Sequence, residues 1–144
     1  SRDCLLILYG DRGPGKTQMA TWWGFKMLEK RCFSVYFKAH DLLCMIRQQF
    51  SDDKNEKKEA KEALNMARKR RFLVIDEYSE LAGSDWEKRT LTNLIDHRYD
   101  AMLATVIITN HTKKGAEEAV GRSAWARVQE TGGAVHCNWE SYRS

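Results

Sequence analysis

Eight consecutive residues near the start of the chain combine three glycines, a lysine and a threonine. Gly10-Asp11-Arg12-Gly13-Pro14-Gly15-Lys16-Thr17 satisfies the pattern G-x-x-x-x-G-K-[ST] and directly follows the apolar run CLLILY. In such a loop, glycines let backbone N–H groups surround phosphate oxygens, and the following helix adds the positive end of its dipole. We therefore predict that these residues and Gln18 bind nucleotide phosphates, with Lys16 on the β- and γ-phosphates and Thr17 on Mg²⁺.

Two carboxylates follow another apolar run. The run Phe72 to Ile75 predicts a buried strand, and Asp76 and Glu77 come directly after it. Open α/β sheets bind ligands at the carboxyl ends of their strands, so both side chains are expected near the phosphate loop. Asp76 is predicted to face Mg²⁺, directly or through water, and Glu77 to polarise the water that attacks the γ-phosphate. This pair favours ATP hydrolysis over simple storage of a nucleotide.

A further apolar run, Ala104 to Ile108, ends in the polar pair Thr109-Asn110. An amide side chain beside the γ-phosphate can hold the attacking water or report its loss, and Asn110 is the candidate for this role. Taken alone, an asparagine after a strand is usually a turn former, so this prediction depends on the two preceding motifs.

The elements that must position these residues alternate along the chain. Helical patterns separate most of the short apolar runs, which is typical of an α/β fold with a buried parallel sheet. The expected strands are Cys4–Tyr9, Ser34–Phe37, Phe72–Ile75, Ala104–Ile108 and Ala134–Cys137. The expected helices are 16–30, 41–50 with Asp41 as N-cap, a solvated helix within 51–71, and one from the capping box Ser84/Glu87 to Tyr99. The side chains expected to face the core are Met19, Trp22, Trp23, Met27, Leu91, Leu94 and Ile95.

Length and composition narrow the class of protein. With 144 residues, 42% of them hydrophobic, the chain can bury one core, which predicts a single domain. The net charge of +4 is compatible with a polyanionic partner and equally with an ordinary solvated surface. Four scattered cysteines indicate neither a zinc site nor a disulfide framework. No apolar run is long enough to span a bilayer and no export leader is evident, so a cytoplasmic protein without a membrane partner is expected.

In this order the three motifs resemble those of the AAA+ ATPases, and more closely those of the DnaC/IstB group of helicase loaders and transposition helper ATPases. The most specific segments are LVIDEYSE (73–80), LTNLIDHRYDAMLATVIITN (91–110) and the terminal NWESYR (138–143). The resemblance implies one ATPase core over residues 1–144, a P-loop α-β-α sandwich with a five-stranded parallel sheet and little or no C-terminal lid. Because a buried strand opens the chain, the N-terminal helicase-binding region of loaders is expected to be missing.

The resemblance also implies roles for individual residues. The matches are Lys16 and Thr17 with Walker A, Asp76 and Glu77 with Walker B, and Asn110 with sensor 1. In loaders, a neighbouring subunit completes the ATP site with an arginine finger a few residues after a Gly-Glu-Arg element. This chain has Gly121-Arg122-Ser123 instead, so matching the glycine assigns the finger to Arg127, with Arg122 as second candidate. An arginine on a solvated helix face is the alternative for Arg127.

The family further implies single-stranded DNA in a central channel, with contacts at Phe50, Ser84 and Trp86. An aromatic side chain suits such a site, since any base can stack on it. Each residue also has an ordinary alternative, because Phe50 could belong to the core, Trp86 could be a packing residue in a first helical turn, and Ser84 could cap a helix.

The first hypothesis is an oligomeric, Mg²⁺-dependent ATPase that grips single-stranded DNA and helps to load a replicative helicase in a bacterium or a phage-infected host. The alternative is an IstB-like transposition helper that binds duplex DNA and shares every catalytic motif. A small-molecule P-loop kinase would need a mobile arginine-rich lid, of which the sequence gives no sign. A nucleotide-gated adaptor without turnover would be favoured only if Glu77→Gln left function intact.

Overall fold

The computed structural model describes residues 5–10, 15–31, 33–78, 85–110, 112–131 and 133–137. The strands within these ranges are β1 Leu5–Tyr9, β2 Ser34–Lys38, β3 Phe72–Asp76, β4 Ala104–Ile108 and β5 Ala134–His136. The helices are α1 Lys16–Glu29, α2 Ala39–Gln48, α3 Lys54–Lys69, α4 Asp85–Asp100, α5 Lys113–Val120 and α6 Arg122–Thr131. The strand predictions are therefore confirmed to within one residue at each end, whereas α5 and α6 were not predicted.

The strands form one five-stranded parallel sheet in the order β2-β3-β4-β1-β5. Its register pairs Lys38 with Asp76 across β2 and β3, and Leu8 with Ile108 across β1 and β4. The carboxyl ends of the strands consequently meet at one edge. The predicted α/β fold with a five-stranded parallel sheet is confirmed.

Alternation of side chains along the strands divides the core into two layers. On β3, Phe72 and Val74 pack on the α1 side, while Leu73 and Ile75 belong to the larger cluster on the opposite face. That larger cluster receives buried residues from each of the helices α2 to α6. Because Asp76 continues the alternation of Phe72 and Val74, its side chain is directed to the face that α1 covers.

Helix α4 follows the predicted helical stripe and extends it with an arginine. Leu91 and Ile95 are buried and Leu94 packs against the same cluster, as predicted. One turn later, Arg98 is fully buried. A cationic side chain in this position needs hydrogen-bond acceptors to replace water. Its guanidinium donates to the Ala67, Arg70 and Ala104 carbonyls and to Thr105 Oγ1, at 2.7 to 2.8 Å.

Two local predictions on the first two helices are wrong. Asp41 is not an N-cap: α2 begins at Ala39, after an extended Lys38, so Asp41 lies in the first turn. An acidic side chain in the first turn interacts favourably with the helix dipole, as an acidic N-cap does. The sequence therefore indicated a helix start near Asp41 but placed it two residues too late. Trp22 is 57% exposed, because Met19, Ala20 and Trp23 form the α1 face that meets the sheet.

Candidate nucleotide and magnesium site

The phosphate loop begins where β1 ends. Gly10 has φ +132°, and a Cβ at this position would lie 2.6 Å from the carbonyl oxygen of Cys137. Only glycine fits that approach. Lys16, 4% exposed, turns back so that its Nζ donates to the Gly10 carbonyl oxygen at 3.1 Å. This hydrogen bond therefore joins the two ends of the phosphate loop, Gly10 and Lys16.

The start of α1 forms the other side of the loop. Gly15 has φ +81°, and its carbonyl accepts the first helical hydrogen bond from the Met19 N–H at 2.9 Å. Gln18 is exposed in the first turn. The predicted contacts at Asp11, Arg12, Gly13 and Pro14 lie outside the described residues.

Asp76 connects the loop to the neighbouring strands. It is the last residue of β3 and is buried. Its Oδ2 accepts a hydrogen bond from Thr17 Oγ1 at 3.0 Å and another from the Tyr36 hydroxyl on β2. Its Oδ1 accepts from the backbone N–H of Glu77 at 2.7 Å. These donors compensate the carboxylate for the water that burial removes.

Tyr36 is the residue at this site that the sequence motifs do not identify. It pairs with Val74 across β2 and β3, two residues before Asp76 on the same face of the sheet. Burial, then the hydrogen bond to Asp76 and the negative charges nearby, raises the pKa of Tyr36 above its ordinary value. The hydroxyl therefore keeps its proton at neutral pH and acts as a donor. A register prediction for β2 and β3 would have been the signal that reveals it.

Thr17 and Asp76 fit a magnesium ion. Their oxygens lie 3.0 Å apart, and hard oxygen ligands are those that Mg²⁺ prefers. Among the described residues, no group of three or more His, Cys, Asp and Glu is arranged to hold a metal. Magnesium commonly completes its coordination with water and substrate phosphates, so a two-residue protein contribution beside a phosphate loop suits it.

Glu77 and Asn110 leave the sheet at the same edge. Glu77 has φ +53°, in the left-handed region that non-glycine residues seldom occupy, which turns the chain sharply after Asp76. Strand β4 lies between β3 and β1, so Asn110, two residues past its end, emerges between the carboxylates and the phosphate loop. Both side chains are half-buried.

The two candidate arginine fingers differ in their surroundings. Arg127, on α6, places its guanidinium 3.0 Å from Asp96 and 3.7 Å from Asp100, and 4.6 Å from the ring centre of Tyr99. All three partners lie on α4. Arg122 is exposed at the first position of α6. Arg127 thus joins α6 to α4 within one chain, and its side chain remains 28% exposed.

Two of the three residues with a predicted DNA contact lie together. The ring centres of Phe50 and Trp86 are 5.7 Å apart, and the residues are 68% and 44% exposed. Phe50 follows α2, and Trp86 is in the first turn of α4. Packing in the core, the alternative for Phe50, is therefore wrong, whereas Trp86 packs against Phe50 at the surface. Ser84 lies outside the described residues.

Comparison with known proteins identifies the family. Residues 2–143 match the model of the IstB-like ATP binding protein family. A curated relative, the Insertion sequence IS232 putative ATP-binding protein of Bacillus thuringiensis subsp. berliner, is 29% identical over 113 residues. That match covers 78% of this chain and 43% of the relative, so the chain spans less than half of the relative's length. The chain belongs to the IstB-like ATP-binding protein family.

Solved structures share the fold. The DnaC helicase loader superposes with a TM-score of 0.74 at 21% identity, covering 94% of this chain and 80% of that one. The replication initiator DnaA bound to AMPPCP and single-stranded DNA superposes with a TM-score of 0.75 at 17% identity, covering 94% and 40%. The predicted P-loop AAA+ fold is thus confirmed. No helix in the described part of the chain is long and apolar enough to cross a membrane.

Proposed function

We propose that this chain is a Mg²⁺-dependent ATPase that uses nucleotide binding to control its grip on DNA. The observation that carries the proposal is the hydrogen bond from Thr17 to Asp76. It lies beside Lys16, whose ammonium group donates to Gly10 at the start of the phosphate loop. Lys16 binds the terminal phosphates, and Thr17 and Asp76 hold Mg²⁺. When bound, the metal would neutralise negative charge on the phosphates beside Thr17 and Asp76.

Hydrolysis is assigned to Glu77, which follows Asp76, and to Asn110, which follows β4. Asp76 is held by three hydrogen bonds in the site, so Glu77 is the carboxylate available to polarise a water molecule. Its left-handed backbone turns it away from the alternation of β3. Asn110 emerges beside it from β4 and holds the attacking water. A strained conformation at a strand end is consistent with a functional constraint on Glu77.

Glu77→Gln tests hydrolysis separately from binding. The variant should bind ATP like the wild type but release phosphate about 10²- to 10⁴-fold more slowly, the range for loss of general base catalysis. Glu59→Gln, an exposed change on α3, is the matched control and should leave both quantities unchanged. Loss of ATP binding and turnover in equal measure would contradict the role assigned to Glu77.

The active ATPase is a homo-oligomer with ATP at the subunit interfaces. Arg127 is the proposed finger and stabilises the transferred phosphoryl group of the neighbouring subunit. In the single chain its charge is matched by Asp96 and Asp100. Water reaches this cluster, since the side chains of Arg127, Asp96 and Asp100 are 28%, 29% and 71% exposed, so the arginine can exchange these partners for a phosphate group.

DNA binding is assigned to the surface formed by Phe50 and Trp86. Two exposed aromatic rings in contact provide an apolar platform on which unpaired bases can stack, for about 1 to 3 kcal/mol per base. Stacking needs bases that are not paired, so this surface supports single-stranded DNA, as the loader hypothesis requires. The DnaA neighbour was solved with single-stranded DNA.

For the choice between a helicase and a transposase as partner, the insertion-sequence relative favours the transposition helper, the alternative hypothesis. Both the family and the insertion-sequence relative support a transposition helper that acts with a transposase on duplex DNA. The helicase loader, the first hypothesis from the sequence, becomes the second candidate and is supported by the Phe50–Trp86 pair. A cytoplasmic location suits either role.

Fluorescence anisotropy of labelled DNA separates the two settings. Protein is titrated into single-stranded and duplex DNA of equal length, with a non-hydrolysable ATP analogue, with ADP and without nucleotide. Tighter duplex binding with the analogue supports the transposition helper, and tighter single-strand binding supports the loader. Equal binding in all three nucleotide states would contradict control of DNA binding by ATP.

A further inference from the structure

The hydroxyl of Tyr36 reaches the metal-facing carboxylate from outside the three sequence motifs. It donates to Asp76 Oδ2, the oxygen that also accepts a hydrogen bond from Thr17 Oγ1 at 3.0 Å. Strand β2 is an edge strand, and its register sets Tyr36 opposite Val74 on the face of Asp76. Backbone pairing therefore fixes where the hydroxyl lies, as it fixes Asp76 itself.

The ring of Tyr36 has little part in the core. It is exposed, and with Thr17, Thr21 and Phe25 it lines an open groove of about 380 Å³ between α1 and β2. An exposed ring on an edge strand can be replaced by other large side chains at small cost to packing. The hydroxyl is the part of the side chain that makes a specific contact.

On the basis of the proposed Mg²⁺-dependent ATPase function, we infer that Tyr36 is a positioning residue of the magnesium site, whose hydroxyl holds the Asp76 carboxylate beside Thr17. The Glu77 N–H donates to Asp76 Oδ1 at 2.7 Å. Asp76 Oδ2 accepts from Tyr36 on β2 and from Thr17 on α1. Removing the Tyr36 hydroxyl frees Oδ2 to move toward the groove. Metal binding then weakens, whereas the phosphate contacts of Lys16 and the loop do not change.

Tyr36→Phe tests this role, with Thr21→Val as the matched control. The first variant keeps the ring and loses the bond to Asp76. The control removes a hydroxyl from the same groove, one that donates to the Thr17 carbonyl at 2.8 Å instead. Three quantities are measured for each protein: Mn²⁺ binding by electron paramagnetic resonance in the presence of a non-hydrolysable ATP analogue, affinity for that analogue in EDTA, and melting temperature.

Tyr36→Phe should raise the half-saturating Mn²⁺ concentration about three- to tenfold, the range expected for one lost hydrogen bond. Its metal-free nucleotide affinity should match the wild type and its melting temperature should fall by no more than a few degrees, because Asp76 keeps its other two donors. All three values for Thr21→Val should match the wild type. In turnover assays, the Mg²⁺ concentration for half-maximal rate should rise by the same factor, and saturating Mg²⁺ should restore most of kcat.

The outcomes separate this inference from the function on which it rests. A wild-type chain that binds no nucleotide with or without metal would overturn the proposed function. If the wild type binds both nucleotide and Mn²⁺, and Tyr36→Phe has the same Mn²⁺ affinity as Thr21→Val, the positioning role alone is overturned. A fall in melting temperature together with weaker metal-free nucleotide binding would also overturn it, because Tyr36 would then support the structure in general.

Discussion

The proposed phosphate and metal centre around Lys16 and Asp76 and the surface between α4 and α6 around Arg127 both contain charged groups, but they are built differently. In the centre, Lys16 and Asp76 are buried and their partners come from the loop, α1, β2 and the backbone after β3. On the α4–α6 surface, Arg127 is half-exposed and pairs with the carboxylates of Asp96 and Asp100.

This difference indicates what a single chain can do alone. Strand register and backbone geometry determine the centre, so its arrangement does not depend on another molecule. The partners of Arg127 are solvent-accessible side chains that a phosphate group can replace. We therefore expect nucleotide binding to be a property of the single chain and rapid turnover to be a property of the assembly.

The largest effect should come from the centre. Lys16→Ala removes the ammonium group proposed to bind the terminal phosphates, so ATP binding, and turnover with it, should be abolished or nearly so, because a buried charge-assisted contact is lost. Lys26→Ala is the control, since Lys26 is an exposed lysine of the same helix that pairs with Glu29. Isothermal titration with ATP and Mg²⁺ measures both. Equal affinities in the two variants would contradict the assignment of the loop.

The α4–α6 surface should respond in the turnover of the assembly. Arg127→Ala should lower kcat about 10³-fold, the lower end for fingers supplied by a neighbour, with ATP affinity unchanged. Asp96→Asn removes the partner at 3.0 Å but leaves the arginine, so its turnover should stay near that of the wild type.

Mixing two inactive variants tests whether Arg127 acts on a neighbouring subunit. Arg127→Ala subunits mixed with Glu77→Gln subunits should regain part of the activity, because some interfaces then combine an intact arginine with an intact Glu77. If Arg127→Ala and Asp96→Asn instead lose melting temperature equally and keep wild-type turnover per folded chain, Arg127 only joins α6 to α4. Arg122, exposed at the start of α6, would then be the next arginine to change.

The smallest effect should come from the aromatic surface. Trp86→Ala should weaken binding to single-stranded DNA by about 5- to 150-fold, equivalent to roughly 1 to 3 kcal/mol for one stacked base. Phe25→Ala removes an aromatic ring of α1 that is 66% exposed, against 44% for Trp86, and should have no effect on DNA binding. Anisotropy with the ATP analogue present measures both. Identical losses in the two variants would indicate nonspecific apolar contact.

What the sequence could predict follows from how local each feature is. The phosphate loop and the pair Asp76-Glu77 are contiguous and follow apolar strands, so pattern and context suffice to locate them. The parallel sheet could be predicted for the same reason, since each strand is a short apolar run. The roles of Tyr36 and Arg98 arise from register and burial between distant segments, which no local pattern contains.

The wrong local predictions have physical causes as well. Trp22 has a large apolar side chain of the kind usually found in a core, yet its position on α1 directs it away from the sheet. Helix α5 was missed because it is only eight residues long and contains Gly115, whose N–H donates to the hydroxyl of the N-cap Thr112 at 3.3 Å. Tertiary packing therefore decides these positions more than local preference does.

The most direct test of this account measures ATP affinity and phosphate release over a wide range of protein concentration. The account predicts one Mg²⁺-dependent ATP affinity across the range, since Lys16, Thr17 and Asp76 come together within one chain. Phosphate release per chain should rise with concentration as subunits assemble and Arg127 reaches a neighbouring site. Release per chain that stays constant from monomer to oligomer, or ATP binding that appears only on assembly, would contradict it.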